Sequence, residues 1–179
     1  MLDADGLKVM DAIKSKTVQH EFGNALDKAG TDGDPAKSRE ADGGIAEITK
    51  SGEPTGTYTA YSQVKDTATV GGTKPDSADE INAKTGGNPV ADFHTHQLAG
   101  RAVTDEFKKY QTPNPSEPND TAAVGATGLP QLVVSRTQVT MAWENDAHQI
   151  KTAIIMTFRN PEALAKGDVS IVMPKELQK

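Results

Sequence analysis

The chain contains no cysteine in 179 residues. That removes disulfides, thiolate metal ligands and a cysteine nucleophile together. Aromatic residues are scarce at 4%, with a single tryptophan, and hydrophobic residues reach only 35%; the expected core is modest. No apolar run approaches the ~20 residues of a membrane-spanning helix, and the N-terminus lacks the basic-then-apolar pattern of a signal peptide. The net charge is −6 and no basic stripe is visible, which argues against a nucleic-acid backbone as the main ligand. Neither a Gly-x-Ser-x-Gly nucleophile motif nor a P-loop occurs, and Gly71-Gly72-Thr73-Lys74 reads as a turn. What is plentiful is loop chemistry: 16 glycines and 10 prolines. The length suits one domain over residues 1–179 with long connections.

Val9, Ile13, Phe22 and Leu26 recur at helical spacing, predicting a helix over residues 6–29 that Gly30 ends. Thr31–Pro35 reads as a loop. Ile45–Thr49 and Thr57–Val64, separated by a Gly/Pro turn, predict a hairpin, and 66–75 a polar connection. Ser77-Ala78-Asp79-Glu80 matches a capping box opening a short helix that Gly86-Gly87 closes. An apolar run, Pro89-Val90-Ala91-Asp92-Phe93, then leads as a strand into two histidines. Residues 97–115 read as a long loop, and Pro118 opens a helix reaching Gly128. Strands are expected at Gln131–Ser135, Gln138–Trp143, 148–158 and 168–173. Helices before, between and after strands predict an α/β (α+β) sandwich of one mixed sheet.

The chemistry concentrates at Asp92-Phe93-His94-Thr95-His96. A strand puts alternate side chains on one face, so His94 and His96 point the same way, close enough to grip one metal ion. Asp120, in the following helix start, is the expected third ligand, with Asp105 as a rival. Two histidines, a carboxylate and an open position for water describe a catalytic zinc site. Hydrolysis also needs a carboxylate to carry the proton of the attacking water, and Glu40 is the candidate. Ser116 is the candidate oxyanion donor and also a candidate helix cap. His20 and His148 have no such company, and Trp143 reads as core or sheet-edge packing.

Glu40-Ala41-Asp42-Gly43-Gly44-Ile45, then His94-Thr95-His96, then Pro115-Ser116 and Asp120, resemble the JAMM (JAB/MPN) metalloprotease family. The layout is most similar to its relatives at the C-terminal ends of bacterial Rhs and polymorphic toxins, over roughly residues 38–145. The flanking parts would be the N-terminal helix of 6–29 and a C-terminal extension of 146–179. The resemblance implies an α-β-α sandwich and a zinc-dependent peptidase or isopeptidase delivered as a secreted bacterial effector. It implies a protein or peptide substrate and a cognate immunity protein as partner. His94, His96 and Asp120 would hold zinc, Glu40 would be the general base, and Ser116 would stabilise the oxyanion. The family's serine stands three residues before its aspartate; here Ser116 and Asp120 are four apart, so Glu117 competes for that position. Gln97 replaces the proline that often follows the second histidine, and the stretch up to Ser116 is long. Two alternatives stay open: a peptidoglycan-cleaving amidopeptidase using the same site, and a non-catalytic MPN-like binding module.

Overall fold

A computed structural model of the chain describes residues 2–30, 40–64, 74–96 and 119–178. One seven-stranded mixed sheet organises it: β1 (Ala41–Lys50), β2 (Glu53–Val64), β3 (Asn88–Thr95), β4 (Gln131–Val134), β5 (Gln138–Glu144), β6 (Ile150–Phe158) and β7 (Val169–Ile171). Their order across the sheet is β2-β1-β3-β4-β5-β6-β7. Only β3 and β4 run parallel; every other neighbouring pair is antiparallel. A parallel pair demands a crossover, and α4 (Asn119–Thr127) lies in it. The other helices among the described residues are α1 (Leu2–Ala12), α2 (Lys16–Ala29), α3 (Ala78–Thr85) and α5 (Pro161–Lys166). The protein is therefore a mixed α+β fold on a single sheet, as the alternation of patterns predicts.

The single helix expected over 6–29 is two helices. Ser15 is extended, at φ −68° and ψ 128°, and its carbonyl accepts the Gln19 amide at 3.0 Å to begin α2. The Gln19 side chain then donates to the Ile13 carbonyl at 2.9 Å, sealing the frayed end of α1. Val9, Met10 and Ile13 before the break and Val18, Phe22 and Leu26 after it are all buried. Buried positions step by three or four within each helix but by five across the break, from Ile13 to Val18, with Lys16 and Thr17 exposed between them.

The hairpin forms as expected but is longer at its start. Ser51 and Gly52, at φ 52° and 81°, make the two-residue turn between Lys50 and Glu53. β1 begins at Ala41, so Asp42-Gly43-Gly44 lies inside the strand. A Cβ on Gly43 would run into the Tyr61 carbonyl and the Phe93 ring; one on Gly44 would sit 2.6 Å from Ile81 Cγ1 of α3. The glycine pair is there because neighbours close on the strand from both sides. Ser77 caps α3 by accepting the Glu80 amide at 3.2 Å, and Gly86 ends it in the left-handed conformation. The strands expected toward the C-terminus form as β4 to β7, and Trp143 is fully buried. His20 is exposed on α2, and His148 pairs with Glu144 at 3.1 Å. The loops expected at 31–35 and 97–115, and most of 66–75, lie outside the described residues.

Phe22 of α2 meets Phe93 of β3 edge-on, ring centroids 5.1 Å apart, so α2 covers the face that carries Phe93. α1 covers it too, Gly6 closing on Trp143 and Leu177. Ile81 of α3 covers the opposite face at Gly44. Gln131, sharing that second face, donates to Thr127 at 2.9 Å and ties down the last turn of α4. Helices thus lie on both sides of the sheet.

Candidate metal and hydrolytic site

The β1–β3 register pairs Asp42 with His94, Gly43 with Phe93 and Gly44 with Asp92. Directly paired residues share a face, so Asp42 and Gly44 stand with Asp92 and His94. Glu40 and His96 continue the alternation at the same end of the sheet. On β4, Val133 pairs with His94 and Gln131 with Asp92. Glu40, Asp42, Asp92, His94, His96, Gln131, Ser135 and Thr140 are all buried and all fall on this face. A row of buried polar side chains is expensive to assemble and is the kind of feature that marks a working site.

His94 and His96 meet as predicted: their Nε2 atoms are 3.1 Å apart, ring centroids 4.9 Å. Two nitrogens bound at ~2.0–2.1 Å in a tetrahedral site stand about 3.3 Å apart. The imidazoles therefore already hold the spacing that one shared cation would impose. The same distance suits a hydrogen bond if one ring carries its proton on Nε2. His94 is 8% exposed and His96 2%. Glu40 Oε1 lies 4.0 Å from His94 Nε2, and Glu40 is also buried. It stands one residue before β1, as the sequence indicates, and projects over the histidines. That separation is too long for direct ligation of the same ion and leaves room for a water's proton.

Among the described residues, no three His, Asp or Glu side chains converge tightly enough to hold a metal by themselves. The histidine pair thus supplies two donors, and a third must come from elsewhere. Asp120 occupies the first turn of α4, on the connection that leaves the histidine end of β3 for β4; its side chain lies outside the described residues. Ser116, Glu117 and Asp105 lie outside them entirely. The two histidines match a shared zinc ion in donor type and spacing.

Sequence reasoning passed over Asp42 and Asp92. Asp92 is fully buried; its Oδ1 accepts the Asp76 amide at 2.9 Å, while its Oδ2 has no hydrogen-bond partner. Burial pushes the Asp92 carboxyl well above the usual carboxylate range, against the attraction of His94 and the Asp76 amide; Asp42 and Asp76 push it further up. Asp76 shows the opposite outcome. Burial works against its charge, but hydrogen bonds from Lys84, Tyr61 and Glu80 hold it down at about 2. Lys84 Nζ lies 2.8 Å from Asp76 Oδ2 and the Tyr61 hydroxyl 2.5 Å. The signal for Asp42 and Asp92 was present in the period-two spacing Glu40-x-Asp42 and Asp92-x-His94-x-His96.

Comparison of the chain with protein-family models, with curated proteins and with solved structures finds no match, so the reading of this site rests on its own geometry.

Proposed function

We propose that this protein is a zinc-dependent peptidase or isopeptidase with a JAB/MPN-like α-β-α core, working as the effector end of a bacterial toxin system. The observation that carries the enzymatic reading is the pair of buried histidine Nε2 atoms 3.1 Å apart, with a buried Glu40 carboxylate 4.0 Å from one of them. Helices on both faces of one sheet support the architectural part of the proposal. The toxin assignment, with its immunity-protein partner, is supported by the sequence resemblance.

In this reading His94, His96 and Asp120 would hold the zinc. When bound, zinc supplies Lewis-acid polarisation of the scissile carbonyl and makes a water acidic near neutral pH. Glu40 takes the proton from the attacking water and returns it to the leaving amine. Its burial keeps bulk water from competing for that proton. The oxyanion donor would be Ser116, which the resemblance assigns to that role, although Glu117 holds the family's serine spacing. The substrate is a protein or peptide amide or isopeptide bond.

Elemental analysis of metal content tests the reading first, on wild type and His94→Ala prepared without chelators. Near-stoichiometric zinc in wild type and none in the variant is expected. A wild-type chain that stays metal-free after zinc is offered would return the face to a non-catalytic binding module.

A further inference from the structure

The ladder between β1 and β3 ends in a side-chain bond at the histidine end of the sheet. Its registered pairs stop at Asp42 with His94, although β1 continues to Ala41, which pairs with Val64 of β2. At the next rung the Ala41 amide donates to the Thr95 hydroxyl, Oγ1 accepting at 3.0 Å. Ala41 and Thr95 are both fully buried. Thr95 stands between His94 and His96, so alternation turns its side chain to the reverse face of β3, the side of Phe93. The hydroxyl therefore reaches β1 without entering the space above the histidines.

The Ala41 N–H belongs to the planar peptide unit that joins Glu40 to Ala41. Fixing that N–H fixes the plane from which Glu40 leaves the strand. Glu40 lies beyond the last registered pair of both ladders, where a strand end frays unless it is tied. Its carboxylate is nonetheless buried, with Oε1 4.0 Å from His94 Nε2. Threonine is stiff at χ1, which makes its hydroxyl a firm anchor.

We infer that Thr95 is the positioning residue of Glu40: its hydroxyl anchors the Glu40–Ala41 peptide and so holds the carboxylate over the histidine pair. The inference rests on the proposed role of Glu40 as general base, and it adds that the strand carrying both histidines also aims the base. Thr95 touches neither metal nor substrate; it acts through Glu40.

Thr95→Val keeps the branched shape and loses the acceptor, while Thr95→Ser keeps the hydroxyl. NMR of the metal-free chains reads hydrogen exchange at the Ala41 amide and cross-relaxation between the Glu40 side chain and the His94 ring. Affinity for zinc alone is then titrated against a competing chelator. In wild type and Thr95→Ser, slow Ala41 exchange and the Glu40–His94 contact are expected. In Thr95→Val the exchange should quicken by about 10-fold and the contact should be lost, with zinc affinity unchanged in all three. A purely structural role would lower the thermal midpoint of Thr95→Val and leave the Glu40–His94 contact in place, which overturns the inference. A fall in zinc affinity in Thr95→Val would tie Thr95 to the histidines rather than to Glu40, and overturns it too. Should Thr95→Val not fold, fast Ala41 exchange in wild type overturns the inference, and slow exchange in both wild type and Thr95→Ser supports it. Failure of wild type to bind zinc sinks the proposed function, while exchange and contact in the metal-free chain still judge Thr95.

Discussion

On one face of the sheet, Ile45, Phe93, Leu132, Met141 and Trp143 lie buried with the apolar stripes of α1 and α2. On the other, the same strands present Glu40, Asp42, Asp92, His94, His96 and Gln131, equally buried. β3 contributes to both by simple alternation: Ala91 and Phe93 one way, Asp92 and His94 the other. The first face follows the ordinary rule that apolar surface removed from water stabilises the fold. The second contradicts it, since burying carboxyls and imidazoles is unfavourable unless something is gained. The contrast separates what stabilises this domain from the polar face on which the proposed chemistry would stand, one residue apart along a single strand.

The comparison predicts variants that damage one property and spare the other. Glu40→Gln should show the largest effect: hydrolysis down by about 10²- to 10⁴-fold, with zinc retained and the unfolding midpoint unchanged or raised. Full activity in that variant would remove Glu40 from its role. Phe93→Ala, its counterpart on the apolar face, should lose about 3–5 kcal/mol in denaturant unfolding. A loss under 1 kcal/mol would mean that the α2 face is not the core described here.

Smaller effects sharpen the picture at the edge of the polar face. Gly44→Ala should lose about 1–3 kcal/mol by pushing Ile81 outward, and Ile81→Ala should partly rescue it in a double-mutant cycle. Lys84→Met should lose about 1–3 kcal/mol near neutral pH, since Asp76 keeps a buried charge without its cation. The folded Asp76 carboxyl is held at about 2, below its ordinary 3.8. Its contribution is therefore complete above the ordinary value and is lost as pH falls toward 2. Wild type and Lys84→Met should converge in stability over that window; a gap independent of pH would refute the pairing. Ser77→Ala should lose about 1 kcal/mol through the missing cap of α3.

The site strand was legible because His-x-His at the end of an apolar run has only one strand geometry, and Ser77–Glu80 because a cap is local chemistry. Asp42 was not, for a physical reason. Asp-Gly-Gly is turn vocabulary, and only the neighbours that close on Gly43 and Gly44 make it strand interior. The break at Ser15 is marked only by a phase slip, a step of five from buried Ile13 to buried Val18, and no proline or glycine stands there to announce it. α5 was not anticipated although its signals are present: Asn160 accepting the Ala163 amide, Pro161 in the first turn and left-handed Gly167. At six residues it is too short for periodicity to register.

Gly43 and Gly44 carry no side chain, yet they set where the chemistry stands. They occupy the strand between Glu40 and the rest of the sheet, and they decide how near Phe93 and Ile81 approach. Anyone transplanting the Glu40–His94–His96 constellation to another scaffold would have to carry this pair as well. A copy with the three polar residues and ordinary strand side chains at 43 and 44 would place the carboxylate on a strand held off from its neighbours. The donors would be present at the wrong spacing, and such a graft would fail in its geometry while every residue named for the chemistry was in place.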